Sequence, residues 1–181
     1  MTLLILGVLL WSGAHLFKRL APNARARMGD AGKGVVAVAL LASIVLMVIG
    51  YRGAEVTVLW SPPAFLTHLN NLLMILAIYL FVSSGAKTWI TTKIRHPQLI
   101  ATKTWAIAHL LVNGDLASLV LFGGILAWAV VSVIVINRST APWVPEHGWP
   151  VKNEVQAGVG TVVVLAIVTA IHTWLGYWPF G

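Results

Sequence analysis

Cysteine is absent from all 181 residues, which excludes disulfides, thiolate metal sites and cysteine nucleophiles. Acidic side chains are almost as scarce. The five present are Asp30, Glu55, Asp115, Glu146 and Glu154. All five fall in expected loops or at helix ends, so paired-carboxylate chemistry is not expected. Charged residues of both signs make up only 9% of the chain, against roughly 25% in an average soluble domain. That is too little to clothe a water-exposed surface, and a soluble globule is excluded. Disorder is excluded too, because it requires low hydrophobicity and high charge. What the chain has in abundance is hydrocarbon, with 59% hydrophobic residues and a mean hydropathy of +0.88.

A bilayer core of roughly 30 Å takes about 17–25 apolar residues per helix. Six stretches qualify, at about residues 2–17, 34–51, 64–84, 98–113, 116–136 and 156–174. The fold class expected is therefore all-α, a single polytopic membrane domain over residues 1–181 built as a bundle of about six transmembrane helices. The fourth stretch is the weakest, since Lys103 lies inside it and it ends at Asn113-Gly114-Asp115. Those three residues favour a short connection, so spans four and five read as a hairpin.

The formal net charge of +7 could suggest nucleic acid, but its distribution gives a simpler account. Lys18, Arg19, Arg25, Arg27 and Lys33 follow span one; Lys87, Lys93 and Arg95 fall between spans three and four, and Lys103 lies near the same end of span four. Arg138 and Lys152 lie between five and six, which leaves Arg52 alone on the opposite side. Basic residues mark the cytoplasmic face, so both termini are expected outside, in a bacterial inner membrane, and no nucleic-acid partner is needed. Span one has no basic residues before its apolar run and no small-residue cleavage pattern after it, so a retained anchor is expected. Trp60, Trp89, Trp174, Tyr177 and Trp178 fit interfacial anchors. The loop over residues 137–155, with Trp143, Trp149 and three prolines, is expected on the inner surface beside His96 and His147.

Ionisable side chains within an apolar layer are costly and are candidates for function. His15, His109 and His172 fall inside spans, and His68 starts the third. His15 follows Ser12-Gly13-Ala14, whose small side chains allow close approach, with Trp11 one turn earlier. His109 repeats the arrangement, with Ala106 and Ala108 beside it and Trp105 one turn earlier. Asn113 follows a turn later, so Trp105, His109 and Asn113 are expected to form one stripe. Each histidine alone fits an interhelical hydrogen bond. Two of them on separate helices, without a carboxylate nearby, resemble a bis-histidine haem site, because imidazole is a natural axial ligand and bundle cofactors sit between facing helices. Zinc fits less well for want of a third ligand. Lys18, Arg19, Arg95 and Lys103 stand where propionates would need cations, Lys103 about 9 Å along the helix from His109. His172 has no evident partner in the sequence.

Arg95-His96-Pro97-Gln98, followed by the run from Trp105 through Ala108-His109-Leu110-Leu111 to Asn113-Gly114-Asp115, resembles the NnrU family of bacterial membrane proteins. The early Ala14-His15-Leu16 ahead of Arg25-Ala26-Arg27 also fits that pattern. The resemblance implies a role linked to nitrite and nitric oxide metabolism in denitrifying bacteria. NnrU proteins are in turn similar to 15-cis-zeta-carotene isomerase, a membrane enzyme that holds haem b through histidines. By motif, this implies haem b here, with His109 and His15 as the iron ligands. The isomerase has a cysteine where this chain has Ala106, so thiolate ligand exchange lies outside its chemistry. The resemblance thus implies a haem b protein supporting denitrification through redox or haem-linked chemistry. Its alternatives are a haem-dependent polyene isomerase and a haem-free assembly or transport accessory. The partners expected are membrane lipid and a redox partner or denitrification enzymes, with the oligomeric state left open.

Overall fold

The structure, a computed structural model, describes residues 1–145 and 148–180. Glu146 and His147 of the inner-surface loop lie outside the described residues. Among the described residues the elements are helices, with one isolated antiparallel bridge between Val58 and Asp115. Helix α1 covers Thr2–Leu20, α2 Pro22–Arg27 and α3 Ala31–Arg52. Helices α4 (Leu66–Ala86) and α5 (Pro97–Val112) follow, separated by a 3₁₀ turn at Trp89–Thr92. Helix α6 is Leu116–Ser139 and α7 is Val151–Trp174.

Five of these, α1, α3, α4, α6 and α7, are long and apolar enough to cross a membrane. Helix α5 has 16 residues and is therefore about 24 Å long, short of a roughly 30 Å core. Proline sets several boundaries. Ala21 leaves helical geometry before Pro22, which opens α2, and Pro97 opens α5; a proline disfavours helix in its predecessor and suits the first helical position. Outward-facing apolar residues such as Val38, Leu41 and Val162 are well exposed, as a surface solvated by lipid tails requires.

The chain divides into two compact units. The first comprises residues 1–61 and 113–140, hence α1, α2, α3 and α6. Its helices meet through small residues, the usual device where lipid removes the hydrophobic drive for helix association. A Cβ on Gly7 would lie 2.7 Å from Met47 Cγ and 2.9 Å from the Ser43 carbonyl. One on Gly50 would collide with the backbone of Leu4. A buried cluster of Leu4, Val8 and Ala117 results, with Met47 and Tyr51 packed on it. Helix α6 contains a wide π turn at Leu119–Gly123. Just after it, Gly124 admits Val8, whose Cγ1 would stand 2.6 Å from a Cβ there.

The segment Asn113-Gly114-Asp115 makes the short connection expected of it, and it also does more. The Gly114 carbonyl accepts the backbone N–H groups of Leu59 (2.7 Å) and Trp60 (3.1 Å), and Leu116 N donates to Thr57 O at 2.9 Å. A side chain at Gly114 would strike Trp60. Asp115 caps α6, accepting from Ser118 N at 2.9 Å and Ser118 Oγ at 2.6 Å, while Tyr51 Oη lies 2.8 Å from Ser118 Oγ.

The second unit comprises residues 62–112 and 141–180, with α4, α5 and α7. The start of α7 is pinned to the end of α4. Glu154 accepts from Trp89 N at 2.6 Å and Tyr79 Oη at 3.4 Å, and Asn153 Nδ2 donates to Lys87 O at 3.1 Å. Further along, Gly160 lies against Val82.

The close approach at Gly50 yields a direct test. Gly50→Ala is expected to lower stability by about 1–3 kcal/mol through overpacking, read as an earlier thermal transition in detergent. Gly34→Ala, where a Cβ meets nothing within 4 Å, should leave that transition in place or raise it.

Candidate functional site

His15 sits near the end of α1, partly buried, with Nδ1 3.0 Å from the Trp11 carbonyl oxygen. A carbonyl only accepts, so Nδ1 carries the hydrogen and the neutral ring presents its lone pair at Nε2. Two indoles hold the imidazole. Trp11 lies 4.2 Å away between ring centroids, and Trp128 of α6 lies 4.7 Å away. The indoles meet edge to face at 5.4 Å. Trp128 is 8% exposed, and both indole N–H groups are buried without an acceptor among the described residues. The first unit thus builds an aromatic slot around one imidazole, with two donors facing no protein acceptor.

The second unit repeats the motif. His109 Nδ1 lies 2.9 Å from the Trp105 carbonyl oxygen, and the two rings stack at 5.0 Å, tilted by 49°. Ala106 and Ala108 beside it are fully buried, so backbone rather than side chain flanks the ring. Again Nδ1 carries the hydrogen. Trp105 also forms one wall of an apolar cavity of about 240 Å³, with Met74, Ile78, Phe81, Ala101 and Val164.

The other sequence-derived candidates separate. Arg95 donates from Nη2 to Ala141 O at 3.0 Å, so part of its guanidinium fastens the start of the 141–150 segment. Lys103 is half-buried on α5. Asn113 follows directly on the last residue of α5, Val112, and its neighbour Gly114 pairs with Leu59 and Trp60.

Two residues escaped the sequence reading, Trp128 and Asn70. Trp128 reaches His15 only through tertiary packing, and nothing in its sequence neighbourhood signals that. His172 on α7, for which the sequence offered no partner, donates Nδ1–H to Val168 O at 2.8 Å. Asn70 on α4 is 7% exposed, and its Oδ1 is buried without a hydrogen-bond partner among the described residues. Here a signal existed, because an asparagine pair at Asn70-Asn71 inside an apolar helix is costly. No group of three or more His, Cys, Asp or Glu side chains converges among the described residues.

The shared hydrogen-bond pattern predicts the tautomers. Nitrogen NMR of histidine-labelled protein, taken where the imidazoles are neutral, should show Nδ1 protonated and Nε2 unprotonated at His15, His109 and His172. Single His→Gln variants would assign the signals. Signals from Nε2-protonated rings at these three positions would overturn the arrangement.

Comparison with known proteins adds one match. The family model described as NnrU protein matches residues 3–179. No curated protein and no solved structure matches the chain. With its whole helical body inside the matched region, the chain belongs to the NnrU family.

Proposed function

We propose that the chain binds haem b, with His15 and His109 as axial ligands, and supports nitrite and nitric oxide metabolism by electron transfer. The observation that carries this reading is the pairing of each Nδ1–H with a backbone carbonyl one turn earlier. Iron-ligating and other metal-ligating histidines characteristically donate their second ring N–H in this way, which fixes the ring and raises the basicity of the ligating nitrogen. The residues fit the group in a second respect. Trp11 and Trp128 bring buried N–H donors beside His15, and a planar acceptor-bearing group laid there would satisfy them. When bound, haem supplies a one-electron iron couple.

The chain's own residues then divide the work. His15 and His109 hold the iron from two helices, and Trp11, Trp128 and Trp105 restrict ring motion and exclude water. Lys103 is the cation offered to a propionate, its long stem reaching out of the apolar layer. Two protein ligands leave no open coordination position, so electron transfer is preferred over direct gas binding.

For topology the proposal is six crossings of the bacterial cytoplasmic membrane, α5 being the short one, with both termini outside. The absence of native cysteine makes a clean test possible. In cells, a cysteine introduced as Glu55→Cys should react with an impermeant maleimide, and Arg27→Cys only after lysis. The reverse pattern would overturn the orientation.

The haem reading is tested by absorption. Haem-loaded protein in detergent should show a Soret band with sharp α and β bands after dithionite. His15→Ala and His109→Ala should each weaken haem affinity by about 10–100-fold or shift the spectrum to a single-histidine type. A colourless protein of normal expression, or unchanged spectra in both variants, would overturn it.

A further inference from the structure

The second unit holds a polar level of which haem ligation would use only His109. Asn70, His109 and His172 come from its three long helices, α4, α5 and α7. Helices α4 and α7 run antiparallel, with Val82 against Gly160 and Asn71 Nδ2 donating to Phe180 O at 3.3 Å. From that Val82–Gly160 contact, Asn70 and His172 both lie twelve residues along, or about 18 Å, so they stand at one level. Met74 and Trp105 both line the apolar cavity. One turn further along their helices are Asn70 and His109. The polar level therefore lies directly beyond the end of the cavity.

The chemistry of that level is one-sided. Asn70 Oδ1 is buried and meets no donor among the described residues, which costs a few kcal/mol in apolar surroundings. His172 spends its N–H on Val168 O, so its other ring nitrogen is an acceptor. A ligand for this place must donate at two points to two neighbouring helices. A divalent cation is a poor occupant, because no carboxylate is there to offset its charge in an apolar layer. The cavity beneath is lined by Met74, Ile78, Phe81, Ala101 and Val164, with the flat Trp105 indole as a wall, and suits hydrocarbon. Two hydroxyl donors on a flat head, joined to an apolar tail, describe a hydroquinone lipid.

We infer that the second unit binds a hydroquinone-headed lipid, its two hydroxyl groups donating to Asn70 Oδ1 and His172 Nε2 and its tail lying in the apolar cavity between α4, α5 and α7. The oxidised quinone has no hydroxyl to donate, so the site prefers the reduced form. This binding stands apart from the haem proposal and needs no haem to be measured.

The test uses the full chain in nanodiscs under anaerobic conditions, with decylubiquinol and its bis-methyl ether as probes, titrated by calorimetry. Decylubiquinol should bind at least tenfold more tightly than the ether, which keeps the tail and ring but has no donor. Asn70→Leu and His172→Phe should each weaken decylubiquinol about tenfold, the loss of one hydrogen bond, and leave ether binding unchanged. Asn70→Leu removes a buried unpaired carbonyl, so its thermal transition should not fall, which separates lost binding from lost folding. Ala101→Phe should fill the cavity and weaken both probes. Equal affinity for quinol and ether would mean a cavity selective for hydrocarbon only and would overturn the inference. So would unchanged quinol affinity in both polar variants, or no measurable binding at all.

Discussion

In an apolar layer a helix has one abundant acceptor to offer a polar side chain: its own backbone carbonyl one turn back. This chain uses it repeatedly. Ser12, Thr102, Thr161 and Thr173 donate to the carbonyl four residues earlier, and Ser43 to the one three residues earlier. For a hydroxyl the bond largely discharges the cost of burial, since its one hydrogen is placed. For an imidazole it settles only half of the ring. His15, His109 and His172 each place one nitrogen on a carbonyl, which fixes the ring and leaves the second nitrogen to be settled by whatever lies beyond the helix. The same economy that lets an apolar helix tolerate a serine thus converts a histidine into a fixed, directed ring.

That constraint explains how the two units can look alike without sequence repetition. Each has a tryptophan four residues before a histidine, with the tryptophan carbonyl as acceptor and its ring as a packing surface. Small neighbours do the rest. Ala106 and Ala108 lie beside His109, and Gly13 and Ala14 precede His15, so the approach to each imidazole is least crowded on that side. The difference lies in what approaches from outside: Trp128 across α6 in one case, an apolar cavity in the other.

Much of this was legible beforehand. Hydrophobic length alone located the five long helices, because a membrane sets a minimum that few soluble helices meet. It also placed the fourth stretch to within one residue at each end, where Pro97 sets the start and the pairing of Gly114 with Leu59 and Trp60 follows the end. The histidine–tryptophan spacing was visible because it is local, with both partners on one helix. Trp128 and the level shared by Asn70 and His172 were not, since each depends on how helices far apart in sequence lie side by side.

The interleaved order of the two units bears on how the protein is made. The ribosome delivers α1 and α3 first, then α4 and α5, before returning to α6 and ending with α7. The first unit is therefore incomplete until about residue 140 has emerged, and for that interval Val8, whose partner Gly124 is on α6, presents a half-built seam to the lipid. The second waits longer still, since α7 supplies the carboxylate that receives Trp89 N and the imidazole of His172. A nascent chain halted after α6 would carry one finished unit and one open one. Quality control in the membrane would then have to recognise the open unit by a polar side chain such as Asn70 of α4 rather than by any exposed greasy surface, because grease is what every part of this chain already shows.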